Sequence, residues 1–307
     1  MGQIFSYFLK WGGCAALLLC TAAWGETINC TPITSVPYTI TAPGVYCVTT
    51  KITSSLTSGA AITINANNVV LDLNSFAIGN IGAGPSTSAV GILAIDRQNI
   101  VVRDGTLRGF WAGVALVNGV TAGGTTSNSS GHKVDSIIAD TCYLLGIAVQ
   151  GPGSWIINSR TANTQGSSVA NAALPAISTN SAIGIFVSGA GSRVTDNAVL
   201  NTDCTNGCTA STATVFGIEI AAAPGAVVDA NRVSNFTLSA VAAANVRGLY
   251  VINSSTDVFI DGNRFTDWQQ GIDFDATSTG LYIANGFLNV TTVEVGAGGT
   301  AVGTSNF

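Results

Sequence analysis

Read from residue 248, the chain runs GLYVINSSTDVFIDGNRF: a glycine, then apolar, variable and apolar positions, a short polar turn, and a second alternating run. Alternation of apolar and polar side chains over four to eight residues is the period of a half-buried β-strand. Each such stretch therefore predicts two short strands joined by a tight turn. The pattern recurs at 217–233 (GIEIAAAPGAVVDANRV), 271–287 (GIDFDATSTGLYIANGF) and 184–199 (GIFVSGAGSRVTDNAV). Looser copies start at Gly91, Gly113 and Gly146, and one without glycine lies near Ala61. From Gly91 to Gly271 the glycine starts lie 22, 33, 38, 33, 31 and 23 residues apart.

A unit with one buried face cannot fold alone, and stacking copies into a continuous core is the solution open to it. The spacing suits one turn of a parallel coil with loops of unequal length. The predicted class is all-β, a single-stranded parallel β-helix of about eight or more coils, right-handed because crossovers between parallel strands are overwhelmingly of that hand. The second run of each copy ends in an aligned column of Asn74, Gly105, Asp135, Asn158, Asn197, Asn231, Asn263 and Asn285. All are residue types that enter left-handed backbone angles at low cost, so the column is expected to make the turn. Two residues on, seven copies carry an apolar side chain, and Arg160 breaks the rule.

These repeats resemble the right-handed parallel β-helix proteins of the pectate-lyase-like superfamily, which includes pectate lyases, polygalacturonases, alginate epimerases and phage tailspikes. The segment CTPITSVPYTITAPGVYCVT at 30–49 looks like the start of a bacterial secreted branch of that superfamily without an assigned activity. The resemblance covers roughly residues 30–295 and implies the fold; many chemistries share this scaffold.

Composition agrees. Charged residues make up 9% of the chain, which argues for turns and strands rather than surface helices. With 11 basic and 16 acidic residues and one His, nothing favours nucleic acid or an anionic membrane as a partner. Residues 1–25 read as a signal peptide, with Lys10 as positive flank, an apolar core over 14–23, and small residues before a cut after Gly25. Lipidation at Cys20 is the competing reading, against which stands the large Leu19 before it. The apolar run is too short for a transmembrane helix, and a secreted, periplasmic or cell-surface location follows. Residues 26–60 read as cap and entry coil, 61–290 as repeats, and 291–307 as a C-terminal cap or tail. Cys30 and Cys47 are expected to pair and pin the cap. Cys204 and Cys208 are expected to close a small loop, with metal binding the rival for that pair. Cys142 is left as a buried thiol.

In the strand that starts at each glycine, apolar residues should face in and the variable ones out. The outward column reads Ala148, Phe186, Glu219, Tyr250 and Asp273, beside Gln150, Ser188, Ala221, Ile252 and Asp275. Glu219 and Asp273 stand two coils apart, roughly 9 to 10 Å from the strand spacing, near the separation of an inverting glycosidase pair. Tyr250 lies between them, to stack on a sugar or pass a proton. Arg247 is a helper just before Gly248, and Trp268 and Trp111 are sugar platforms or core caps. Long insertions at 79–89, 161–181, 201–215 and 235–246 leave one edge of this sheet and 119–131 another, so a walled groove is expected. Among bound groups only calcium is a candidate, through Asp72, Asp229 and Asp261; an outward salt-bridge ladder with Arg232 and Arg264 is the plainer reading.

Short family signatures do not complete themselves. Asn201-Thr202-Asp203 matches part of a polygalacturonase signature, but its remaining motifs are missing, and the Asp-Pro-His of the epimerases is absent. His132 is expected on a surface loop. Two functions compete: binding of a polysaccharide or other cell-surface ligand in the groove, or hydrolysis or lysis of a polysaccharide by Glu219 and Asp273.

Overall fold

The computed structural model describes residues 29–121, 124–175, 177–204, 207–208, 212–236, 241, 245–302 and 306; the expected signal peptide lies outside them. Its strands stack in parallel, rung upon rung, into a right-handed parallel β-helix with three faces. The first face, called the groove sheet below, stacks Ala60–Ile64, Val90–Ile95, Ala112–Val117, Leu145–Gln150, Ser181–Ser188, Thr214–Ala221, Val246–Ile252 and the end of Arg264–Phe274. The second runs from Thr31–Ile33 to Gly299–Ala301, and the third from Ile52–Thr53 to Gly286–Val295. Ile92, Val114, Ile147, Ile185, Ile218, Leu249 and Ile272 form a buried aliphatic stack within it. Among the described residues no helix is long and apolar enough to cross a membrane.

The repeated glycine answers to space rather than to backbone angle. A Cβ on Gly217 would come within 2.4 Å of Val233 Cγ1 and 2.6 Å of the Gly248 carbonyl oxygen. Neighbouring glycines repeat the clash with the next rung's carbonyl, so any side chain would push the rungs apart. Around this point alternation breaks: Val215 and Ile218 both enter the core, while Phe216 faces out.

The asparagine column does different work from that expected. Asn74 and Asn158 take positive φ, but at the later turns it is the residue before the column that does so: Asp196, Ala230 and Ala284 at φ 57, 53 and 53. Asn197, Asn231, Asn263 and Asn285 instead lie buried as an internal ladder. Asn231 Oδ1 accepts from the backbone N–H and Nδ2 of Asn197, both at 3.0 Å, while its own Nδ2 donates to Val194 O at 2.7 Å and Asn263 Oδ1 at 2.9 Å. A turn leaves peptide groups that the sheets cannot satisfy, and a carboxamide carries both donor and acceptor to meet them. The anomaly at Arg160 has the same origin: Arg160 pairs with Ala198 and the Ser159 N–H donates to Asn197 Oδ1 at 2.9 Å, so Asn158 is out of register by one.

Three other expectations change. Asp72 is buried rather than solvated, sealed by Arg103, whose Nη2 stands 2.8 Å from its carboxylate. Asp229 and Asp261 do stack as neighbours, yet they form no ion pair with Arg232 or Arg264. His132 sits in the core, not on the surface; its Nδ1 accepts from Ile100 N at 3.3 Å and its Nε2 has no partner. Burial pushes its imidazole down to about 4. Both expected disulfides are present, Cys30–Cys47 and Cys204–Cys208, with Cα atoms 5.7 and 5.6 Å apart. Cys142 is the buried thiol expected, and burial raises it to about 12.

Candidate functional site

The groove sheet carries the expected outward column in register: Ala148, Phe186, Glu219, Tyr250 and Asp273 are successive partners across rungs. Gln150, Ser188, Ala221 and Ile252 form the parallel column. The break in alternation at the glycines adds a further outward column, Leu145, Ile183, Phe216, Arg247 and Gln270, that simple alternation misses. Arg247 thereby stands on the outward face of the groove sheet, beside Phe216 and Tyr250 and outside the lining of the cavity described below.

Two insertions wall this face. Segments 165–175 and 177–181 cross it as a strap: Val169 O accepts from Trp111 Nε1 at 2.8 Å, Asn171 Nδ2 donates to Ser88 O at 2.7 Å, and Leu174 is buried in the outer apolar cluster. The base of the strap is braced by the second disulfide, since a Cβ on Gly166 would lie 2.5 Å from both Cys204 Sγ and Cys208 Sγ. Opposite, loop 119–131 is tied down by Asp96, which accepts from Gly119 N at 2.9 Å and from Thr126 Oγ1. Between the walls lies a cavity of about 260 Å³, lined by Thr125, Gln150, Ile177, Ser178, Phe186, Ser188 and Glu219 among others. That is below the roughly 300–1,000 Å³ of sites for drug-sized ligands, so about one sugar ring fits. Two larger hollows, of about 400 and 470 Å³, lie over the last rungs of the other sheets. Their only charged lining residues, Arg264 and Asp257, are exposed.

Glu219 is 9% exposed, and no hydrogen bond reaches its carboxylate. Burial pushes it up to about 7, and the Arg247 charge offsets that only in part. Asp273 is 5% exposed and does not line the cavity; Arg247 Nε donates to its Oδ2 in a tight ion pair. The guanidinium of Arg247 lies 4.2 Å from the centroid of the Tyr250 ring and 5.5 Å from that of Phe216. Phe216 and Tyr250 touch at 5.1 Å between centroids. Burial raises the Tyr250 phenol, and the carboxylates of Asp273, Asp275 and Glu219 add to the rise against Arg247.

The remaining candidates separate. Phe186 is half-buried on the cavity wall. Gln150 lines it too; its Oε1 accepts from Asn118 N at 2.8 Å, which leaves the amide N–H groups unengaged. Asp275 belongs to its own turn: against burial, which raises it, hydrogen bonds from Asn253, Ser278 and Thr277 hold its carboxyl below the usual range. Trp268 is fully buried with Nε1 donating to Val233 O at 3.0 Å, so it is a core residue and presents no face to a ligand. Trp111 is likewise buried, beneath the strap. Among the described residues no group of three or more His, Cys, Asp or Glu could hold a metal ion; Asp196 adds its charge to that of Asp261 beside Asp229 without completing such a group.

No protein-family model matches the chain, and no curated protein matches it. Solved structures do match. The enzymatically active domain of tailspike protein 2 of bacteriophage CBA120 shares 13% identity at a TM-score of 0.52, over 88% of this chain and 39% of that domain. The mannuronan C-5 epimerase AlgE4 A-module of Azotobacter vinelandii shares 13% identity at a TM-score of 0.42, over 89% of this chain and 85% of that module. DFA-IIIase from Arthrobacter chlorophenolicus A6, without its lid, shares 13% identity at a TM-score of 0.46, over 81% of this chain and 66% of the enzyme. This chain therefore spans about two fifths of the tailspike domain's length, and what the likeness establishes is the fold, a right-handed parallel β-helix.

Proposed function

We propose that the walled cavity on the groove sheet is a carbohydrate-binding site and that the protein binds a polysaccharide outside the cytoplasm. The observation that carries this reading is the convergence of an aromatic face, Phe186, the free amide donors of Gln150 and the unpartnered acceptor Glu219 on one small cavity. An aromatic ring against the C–H face of a sugar, with a few polar groups for its hydroxyls, is the chemistry such sites need. Two disulfides fit an oxidising compartment. Retention on immobilised glycans tests the reading: Phe186→Ala should cost at least tenfold in affinity, and retention unchanged in that variant would sink it.

Polysaccharide cleavage is the second reading, and one observation favours it. A carboxyl raised to about 7 is half protonated at neutral pH, as a general acid requires. Against it, the expected partner Asp273 is held by Arg247 away from the cavity, where it cannot activate a water on the sugar's other face. New reducing ends or unsaturated-uronate absorbance that vanish in Glu219→Gln would favour cleavage; a panel of acidic and neutral polysaccharides, with and without calcium, yielding neither would leave binding as the function.

A further inference from the structure

The charge of the cavity narrows the ligand, given the binding function proposed above. No Lys, Arg or His lines it, and its single charged side chain is Glu219, nine-tenths buried and without a hydrogen bond. Arg247, the nearest counter-charge, is spent on Asp273 and sandwiched against Tyr250 and Phe216. We propose that the cavity selects a hexosamine unit with a free amine, whose ammonium pairs with Glu219, and rejects uronate units.

The physical argument is one of desolvation. A buried carboxylate lacking a partner is costly in its charged form. An ammonium brought by the ligand supplies the missing counter-ion in the same low-dielectric place, where a charge-assisted hydrogen bond is strongest. A uronate would set a second carboxylate beside the first with no cation to share, which raises the cost further. The remaining polar lining, Thr125, Ser178, Ser188 and the Gln150 amide, suits neutral hydroxyls and adds no positive charge. Raised to about 7 in the free protein, Glu219 must lose its proton to pair, so binding near pH 6 is linked to proton release.

The experiment is isothermal titration of the mature protein with β-1,4-linked tetramers of glucosamine, N-acetylglucosamine and glucose, and with tetragalacturonate. It is run at pH 6 in two buffers of different ionisation heat. The free-amine tetramer should bind at least tenfold more tightly than its acetylated and neutral counterparts, with release of nearly one proton, and tetragalacturonate should not bind. Glu219→Gln, close in shape, should erase both the amine preference and the proton release. Asp261→Asn, an exposed-face control for general attraction of a cation to an acidic protein, should change neither. Uronate binding as tight as the amine, or an amine preference that survives Glu219→Gln, overturns the proposal. Tetramers that bind without amine preference yet are lost in Phe186→Ala overturn the charge selection and leave carbohydrate binding standing. Silence from all four tetramers removes both.

Discussion

Upstream of Ile183 the outward columns of the groove sheet are Ala60, Val90, Ala112 and Leu145, with Thr63, Leu93, Ala115 and Ala148; downstream they become Phe216, Arg247, Gln270, Glu219, Tyr250 and Asp273. The backbone is the same ladder throughout. The upstream half is roofed by the strap, whose Val169, Leu174 and Ile177 join Trp111 and Leu144 in a second apolar cluster outside the main core; that cluster reaches the downstream half only at its edge, through Phe216 and Tyr250. The downstream half carries an ion pair, two aromatic rings in tilted contact and a carboxyl without a hydrogen bond. Small and aliphatic side chains on an outer sheet face are stable only if something covers them, so the strap belongs to the upstream half. The cavity opens where that cover runs out at Ile177 and Ser178. Binding capacity thus sits at a seam between a sealed surface and a charged one.

Breaking the sealed half should produce the largest effect. Trp111→Ala removes a fully buried ring and the Nε1 bond that ties the strap to the sheet. The expected loss is about 4 kcal/mol, read by denaturant unfolding, with proteolytic cleavage within 165–181 rising in parallel. A cut rate unchanged from the parent would show that the strap is held by something else.

The charged half should respond next. Arg247→Met strips Asp273 of its counter-ion while keeping bulk beside Tyr250 and Phe216, and leaving a buried carboxylate unpaired should cost about 3 kcal/mol at pH 7. Adding Asp273→Leu should recover much of it. No recovery in the double variant would mean that the stacking of Arg247, not the ion pair, is what stabilises this half.

Glu219 gives the comparison a pH axis. Its folded value of about 7 lies above the ordinary 4.5. The folded state therefore holds the proton more tightly, and stability falls as pH rises from about 4.5 through 7. Glu219→Gln should stabilise the protein by on the order of 2–3 kcal/mol at pH 8 and by nearly nothing at pH 4. An equal effect at both pH values would show the carboxyl to be solvated. His132, in the main core, carries the opposite sign. Its value of about 4 lies below the ordinary 6.5, so stability is lost as pH falls from 6.5 toward 4. His132→Gln, which keeps an acceptor for Ile100 N, should flatten that acid limb of the melting curve.

The smallest effect is expected at the seam itself. Phe186→Ala exchanges a half-buried ring and should cost about 1 kcal/mol of stability while removing glycan retention. A large fall in melting temperature would recast Phe186 as part of the roof.

Much of this was legible in the residues, for a physical reason. A period-2 pattern recurring at one-coil spacing can bury its faces in few ways, so rung register and the column Phe186, Glu219, Tyr250 and Asp273 follow from the sequence. The cysteine pairs follow as well, because each sits in a short segment. What the sequence could not decide depends on where three rungs or a loop meet. Asn231 looks like a turn residue until the neighbouring rungs show it bonded above and below. Trp268 reads as a sugar platform or a core cap, and His132 as a surface residue, until the core closes on both. Arg247 reaches the outward face of the groove sheet only because the glycine after it, pressed against the next rung's carbonyl, forces two successive residues inward and turns the preceding one out. Local pattern fixed which strands stack. Contacts between residues twenty to forty positions apart decided which side chains are paired, which are sealed, and that Glu219 is the one charged residue lining the cavity, with no hydrogen bond to its carboxylate.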